Sequence, residues 1–446
     1  MEPLRKRLKH QATRDECNFV SSYALTNAAT VNEEEANWLR LELGVTVDGG
    51  APPPCKEFKA MGLPESLVNA IAHEHPTSVQ MQAIPSILQG RDVLAIAPPG
   101  SGKTLAFLVP LIALLYASPT PGILTGLVLV PTRELMEQVY RVCTSLLGDH
   151  SGNGLVYSSG SFGVAGICGG MPFGPQLDAV QRGVDIIVAT PGRLLHLVQD
   201  HNLSLNALRY LVLDEVDQMV AFESTLSSIL RHCNPLARQT IVCSATVPIE
   251  VQRIVNSALL NPITITTSSQ RSTRNSNQTV YECVVLQKES KLQWLLRTLR
   301  SIQHPPVLVF CNMSTTVWRI VRNLASEQFH VAPLVGEMDQ RHRFQVLNAL
   351  RTDQVDVVVA TDIAARGLDF PQLKAVVMHD CPESISMFIH RAGRLGRQSQ
   401  KLSGSCHLCL SFDDKKSIVA GIGEYIESQG QEIPIEMTAL SRFRAG

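Results

Sequence analysis

Two series of short apolar runs constrain what this 446-residue chain can become. The first comprises Val93–Ala97, Leu127–Val130, Asp185–Ala189, Tyr210–Leu213 and Thr240–Cys243. The second comprises Val307–Phe310, Val331–Leu334, Val355–Ala360, Ala375–His379 and Ser405–Leu410. Runs that are brief and apolar throughout, rather than alternating, suit strands buried on both faces, as in parallel sheets covered by helices. The amphipathic stretches between them supply those helices. Ser268–Gln278 is polar and aperiodic and reads as a flexible linker. The expectation is an α/β chain with two parallel-sheet domains in tandem, over 55–266 and 280–446, joined by a linker at 267–279. Residues 1–54 read as a mostly irregular extension ending in Gly49–Pro54. Within it, Val31–Leu43, with its acidic Glu33–Glu35 start, suits one short helix. The Gly/Ser-rich Ser151–Ser161 reads as a surface loop.

Composition narrows the class further. A hydrophobic content of 45% against 18% charged residues fits a globular protein. Basic and acidic residues number 39 and 40, so no global field draws the chain to polyanions, and any such site must be local. No apolar run reaches the ~18 residues of a membrane span. Eleven cysteines follow a charged start, Arg5–Lys9, that lacks an apolar leader. This points to free thiols in an intracellular, reducing compartment. The Arg5–Lys9 cluster reads equally as a nuclear import signal or a solvated tail, with the nucleus slightly favoured over the cytoplasm. Cys406 and Cys409 form a CxxC without a second ligand pair nearby, which suits small residues in an apolar strand rather than zinc.

The chemistry sits after the strands. Ala97–Thr104 joins an apolar run to an apolar helix through Pro99-Gly100-Ser101-Gly102-Lys103-Thr104. Strand, glycine-rich turn and helix make a phosphate cradle of backbone amides. Lys103 can reach terminal phosphates and Thr104 can hold Mg²⁺. Asp214 and Glu215 follow the run Tyr210–Leu213. There Asp214 would hold the metal, through water, and Glu215 would orient and deprotonate an attacking water. In His390–Arg397, Arg391, Arg394 and Arg397 fall three apart, so on a helix they drift around one side and repel unless an anion sits among them. With Lys103 and these arginines on different domains, triphosphate binding would draw the domains together.

Pro131-Thr132-Arg133-Glu134-Leu135, Thr190–Arg193, Asp214–Asp217, Ser244-Ala245-Thr246, Thr361–Asp369 and His390–Arg397 occur in this order. Over about residues 55–430 the chain resembles the DEAD-box ATP-dependent RNA helicases, with Asp-Glu-Val-Asp in place of Asp-Glu-Ala-Asp. The stretch before the core also resembles members that carry a HIT-type zinc finger further upstream, although no such cysteine/histidine cluster occurs here. The resemblance implies two RecA-like domains that bind ATP and Mg²⁺ and hydrolyse ATP when RNA is bound, with local duplex unwinding or ribonucleoprotein remodelling. It implies that Gln80 reads adenine with Phe58 stacked upstream, and that Pro99, Gly100, Ser101, Gly102, Lys103 and Thr104 hold the phosphates. Asp369 would touch the ribose, and Arg394 and Arg397 would be the arginine fingers. Asp217, Ser244, Thr246 and His390 would couple nucleotide to RNA. RNA backbone contacts would come from Pro131, Thr132, Arg133, Glu134, Gly169, Gly170, Thr190, Pro191, Gly192, Arg193, Asn312, Gln340, Arg343, Thr361, Asp362 and Arg366. Such contacts predict binding without sequence preference, by a monomer with protein cofactors as possible partners.

The sequence departs from the family at three points. Ala72–Pro76 lacks the family's Gly-aromatic pair, Pro99 has no amide to donate, and Val216 replaces alanine. The residues by themselves also leave open an ATP-dependent RNA clamp without turnover and a DNA translocase of similar architecture.

Overall fold

The computed structural model describes residues 32–148, 156–159, 162–201, 203–267, 279–302, 305–365, 370, 373–395 and 404–442. These divide between two compact units, within Met1–Ala97 and Gly102–Ser268 for the first and within Pro98–Ser101 and Ser269–Gly446 for the second. Of the linker expected at 267–279, residues 268–278 lie outside the described residues, as does the basic Arg5–Lys9 cluster, and Thr267 ends β9.

Among the described residues the first unit is built on nine strands: β1 (Val45–Asp48), β2 (Val93–Ile96), β3 (Gly126–Leu129), β4 (Val156–Ser159), β5 (Phe162–Ile167), β6 (Ile186–Ala189), β7 (Tyr210–Leu213), β8 (Gln239–Ser244) and β9 (Ile263–Thr267). Their order in the sheet is β1-β9-β2-β8-β7-β3-β6-β5-β4. The interior is parallel, and an antiparallel pair closes each edge, β1 on β9 and β4 on β5. Central strands such as β3, β6 and β7 are buried along their whole length. Burial on both faces explains their uninterrupted apolar sequence, since helices cover the sheet on either side. The helix Lys103–Ala117 is buried from Ala106 to Leu115. A helix apolar on all sides in this way belongs inside a core rather than on a surface.

Two expectations change here. The helix expected within Val31–Leu43 is present as Glu33–Leu43, capped by Asn32 and Gly44, but it leads into β1, which pairs with β9, so residues 33–48 belong to the first unit and not to an irregular extension. Arg40 fastens that helix, donating to Gln82 Oε1 at 3.0 Å and to the Ala51 and Pro52 carbonyls at 2.9 Å. The segment read as a loop at 151–161 contributes β4, which pairs with β5.

The second unit carries six strands: β10 (Val280–Val285), β11 (Val307–Cys311), β12 (Val331–Leu334), β13 (Val357–Thr361), β14 (Ala375–Met378) and β15 (Ser405–Leu410). They are parallel throughout, in the order β10-β15-β14-β11-β13-β12. One core cluster joins β11, β13 and β14 to the helices Lys291–Ser301 and Ser314–Ser326. Cys406 and Cys409 are buried free thiols in β15, in keeping with a bulk-filling role. Among the described residues no helix is long and apolar enough to cross a membrane.

Candidate functional site

The glycine-rich turn follows β2. Gly100 (φ 78°) and Gly102 (φ 93°) both take left-handed conformations, which glycine adopts without steric penalty. At Gly102 space also decides, because a Cβ there would lie 2.4 Å from Nε2 of Gln80. Gln80 donates from that nitrogen to the Gly102 carbonyl at 2.8 Å, while its Oε1 accepts the Thr77 amide at 2.9 Å. Only 2% of Gln80 is exposed. Expected to read adenine, it has both ends of its amide engaged within the protein and acts here as a strut under the turn. Lys103 begins the following helix and donates from Nζ to the Ala97 carbonyl at 2.6 Å. Thr104 is the next residue. The buried Ser101 hydroxyl makes no hydrogen bond among the described residues. An orphaned hydroxyl, a glycine that any Cβ would block and a lysine at a helix N-terminus fit a triphosphate.

Phe58 is not placed to stack a base. It opens the short helical turn Phe58–Met61, is 3% exposed and belongs to the core with Met61 and Leu67. The apolar neighbours already cover the ring, so no open face remains for a ligand.

Asp214 and Glu215 follow β7. Glu215 has φ 52° and ψ 49°, a left-handed conformation that costs a non-glycine residue about 1–2 kcal/mol. Its amide donates to Asp214 Oδ1 at 3.0 Å, and its Oε2 accepts Gln218 Nε2 at 2.6 Å. Burial pushes the Asp214 carboxyl up to about 7, the Glu215 carboxylate adds to the rise and Lys103 opposes it. A buried carboxyl held beside further carboxylates fits a cation site, and Asp214 with Thr104 would hold Mg²⁺.

That burial makes a stability prediction. The folded-state value of about 7 lies above the ordinary 3.8, so the charged form is disfavoured by folding. The penalty grows as pH rises from the lower value to the higher one and is level above it. Relieving that penalty stabilises the nucleotide-free protein, most strongly where the carboxyl would otherwise be charged in the folded state. Asp214→Asn should therefore raise the melting temperature of the nucleotide-free protein near pH 8, by more than it does near pH 5. Thermal denaturation at the two pH values measures this; a variant no more stable than the parent near pH 8 would contradict the buried-charge account.

The Ser244 hydroxyl donates to the Thr246 carbonyl at 2.6 Å, and Thr246 Oγ1 donates to Asp217 Oδ2 at 3.4 Å. The loop after β8 is thereby tied to the loop after β7. The three segments expected to touch RNA in this unit follow β3, β5 and β6, which are neighbours in the sheet. Thr132 caps the helix Arg133–Leu146, within which Glu134 is buried, and Pro131 precedes it. Arg133 donates to the Gly170 carbonyl at 3.1 Å, next to Gly169. Pro191 and Gly192 open the helix capped by Thr190. Arg193 lies over the Phe173 ring at 5.3 Å.

In the second unit Asn312 follows β11, Thr361 ends β13 with Asp362 next, and Gln340 and Arg343 lie in the helix after β12, capped by Asp339. These three strands are also neighbours. Arg391, 1% exposed, organises the edge. It donates to both Asp362 carboxylate oxygens at 2.8 and 2.6 Å, to the Asp380 carbonyl at 2.8 Å and to Asn312 Oδ1 at 2.7 Å. Its charge is thus balanced inside the protein, and the expectation of three arginines awaiting one anion does not hold. The helix also ends early, at Ala392 with Gly393 as its cap, so Arg394 lies on the turn beyond it. His390 and Arg394 are both buried. Sequence reasoning overlooked this part of Arg391, because its partner Asp362 follows β13, two strands away in the sheet from the β14 that precedes the Arg391 helix. Arg366, Asp369 and Arg397 lie outside the described residues.

Comparison with known proteins gives an independent line. Residues 77–254 match the model of the DEAD/DEAH box helicase family, and residues 290–399 match that of the helicase conserved C-terminal domain. The chain is 35% identical over 423 residues to the putative DEAD-box ATP-dependent RNA helicase 43 of Arabidopsis thaliana, covering 92% of this chain and 76% of that protein. It is 33% identical over 417 residues to the ATP-dependent RNA helicase abstrakt of Drosophila melanogaster, covering 91% and 66%. The chain spans about half to two-thirds of the length of several such relatives. Among solved structures, S. cerevisiae Dbp5 bound to RNA and ADP BeF3 matches with a TM-score of 0.68 at 21% identity, over 87% of this chain and all of that one, a likeness of fold.

Proposed function

Because the chain belongs to the DEAD-box family of ATP-dependent RNA helicases, we propose that it hydrolyses ATP in response to RNA and uses the cycle for local duplex unwinding or ribonucleoprotein remodelling. One observation carries this reading. In the first unit β2, β8, β7, β3, β6 and β5 lie side by side in that order. The nucleotide residues follow β2 and β7, the coupling residues Ser244 and Thr246 lie at the end of β8 between them, and the RNA-contact residues follow the last three strands, along the carboxyl edge where ligands of open parallel sheets bind. The Thr246–Asp217 hydrogen bond ties two adjacent loops on the nucleotide side of that row.

Lys103 binds the terminal phosphate oxygens once it leaves the Ala97 carbonyl. Mg²⁺, when bound, neutralises charge on those oxygens and is held through Thr104 and Asp214. Glu215 orients the attacking water and takes its proton. Arg394 and Arg397 stabilise charge on the transferring phosphoryl group, and Asp369 meets the ribose. Gln80 meets adenine only by giving up its bond to Gly102. RNA is gripped through backbone amides, hydroxyls and single arginines, which suits binding without sequence preference and a near-neutral chain. The protein acts as a monomer, open to protein cofactors, and the Arg5–Lys9 cluster favours the nucleus.

Steady-state ATP turnover tests the proposal, measured without nucleic acid, with single-stranded RNA and with DNA of the same sequence. Stimulation by RNA alone is expected. Equal stimulation by DNA would refute the RNA assignment, and tight ATP-dependent RNA binding without turnover would make the protein a clamp.

A further inference from the structure

The helix Ser314–Ser326 begins two residues after Asn312, on the edge where the second unit's RNA-contact residues collect. It buries Thr316, Val317, Ile320 and Leu324 against the core. Its other side carries Trp318, Arg319 and Arg322, all exposed, with Met313 just before the first turn. Trp318 is 48% exposed and Met313 61%. Trp318 and Arg322 are four apart and so share a face, and Arg319 flanks both. The helix contains no Asp or Glu. Among the described residues Arg319 and Arg322 make no ion pair. The carboxylates at its two ends are occupied: Glu337 accepts the Ser314 hydroxyl at 2.9 and 3.0 Å, and Glu327 accepts Arg300 at 2.5 Å.

An exposed indole beside two unpaired guanidiniums matches a chain that offers flat π-faces and regularly spaced anions together. Single-stranded RNA is such a chain, and aromatic platforms in basic grooves are how single strands are held without sequence preference. Continuity favours the same occupant, because Trp318 lies only ~6 Å along the helix axis from its first residue. The geometry points to an auxiliary RNA-binding subsite on this helix, in which Trp318 stacks one base and Arg319 and Arg322 hold the flanking phosphates of a strand leaving the Asn312 edge. This rests on the RNA reading above and adds a longer footprint to it.

Equilibrium binding of the full chain, with a non-hydrolysable ATP analogue, to oligouridine RNAs of ~6 and ~15 nucleotides tests the subsite. The parent should bind the longer RNA on the order of tenfold more tightly. Trp318→Ala and Arg322→Ala should remove most of that gain and leave the short RNA and the RNA-free ATP turnover unchanged. Trp318→Phe should restore it. A parent without a length-dependent gain, or a Trp318→Ala variant that keeps the gain or loses affinity equally at both lengths, overturns the subsite and leaves the face to a protein partner. Absence of ATP-dependent binding at either length would instead bring down the RNA reading itself.

Discussion

Glu215→Gln should lower RNA-stimulated turnover by about 10²–10⁴-fold while leaving ATP affinity within a small factor of the parent. The substitution keeps the shape of the side chain and a carbonyl oxygen able to accept Gln218 Nε2, now at 2.6 Å from the carboxylate. It removes the negative charge and the capacity to take a proton. The backbone at this position has φ 52°, a conformation that directs the residue away from the path of β7 and that glutamine tolerates as glutamate does. The variant should fold, bind ATP and RNA, and stall before hydrolysis. Single-turnover hydrolysis together with equilibrium binding of a fluorescent nucleotide separates the two effects. Turnover within threefold of the parent would show that another group activates the water.

Arg394→Ala should lower turnover further, by about 10³–10⁵-fold, with nucleotide affinity changed far less. A guanidinium aimed at developing phosphoryl charge acts on the transition state, so its removal appears in kcat and not in ground-state binding. Arg391 is not a candidate for that role, since its guanidinium is spent on Asp362, Asp380 and Asn312 inside the unit. Arg394 lies beyond the helix that holds Arg391, past the Gly393 cap. Arg394→Lys should recover only a fraction of the loss, because an ammonium lacks the planar fork. If Arg394→Ala turns over normally, the finger role falls to another residue.

The strands that were legible in the sequence are short, mostly apolar runs. Tyr210–Leu213 is buried throughout and Ser405–Leu410 is buried but for Ser405, and Val331–Leu334 has the expected bounds although it is half-buried at the sheet edge. The strands that escaped notice are marginal or unusual in composition. β1 is exposed at alternate residues, β9 is rich in threonine, β10 is half-exposed at a sheet edge, and β5 carries Gly163 and Gly166. At Gly163 a Cβ would lie 3.3 Å from the Val184 backbone, a tight contact set by a neighbour distant in sequence. For the site, the phosphate turn and the Asp214–Glu215 pair were readable because each is a local strand-to-loop pattern. Strand order, the burial of Phe58 and the internal partners of Gln80 and Arg391 depend on which segments become neighbours, and a linear pattern does not encode that directly.

The antiparallel pairing of β1 with β9 closes one edge of the first unit's sheet. β9 pairs with β2 on its other side, so without β1 it would be the rim of the sheet, an open row of amides and carbonyls inviting another chain. The stretch from Glu33 to Asp48 is thus a guard against self-association, carried upstream of every catalytic motif. Closing that rim therefore draws on residues well upstream of the phosphate-binding turn.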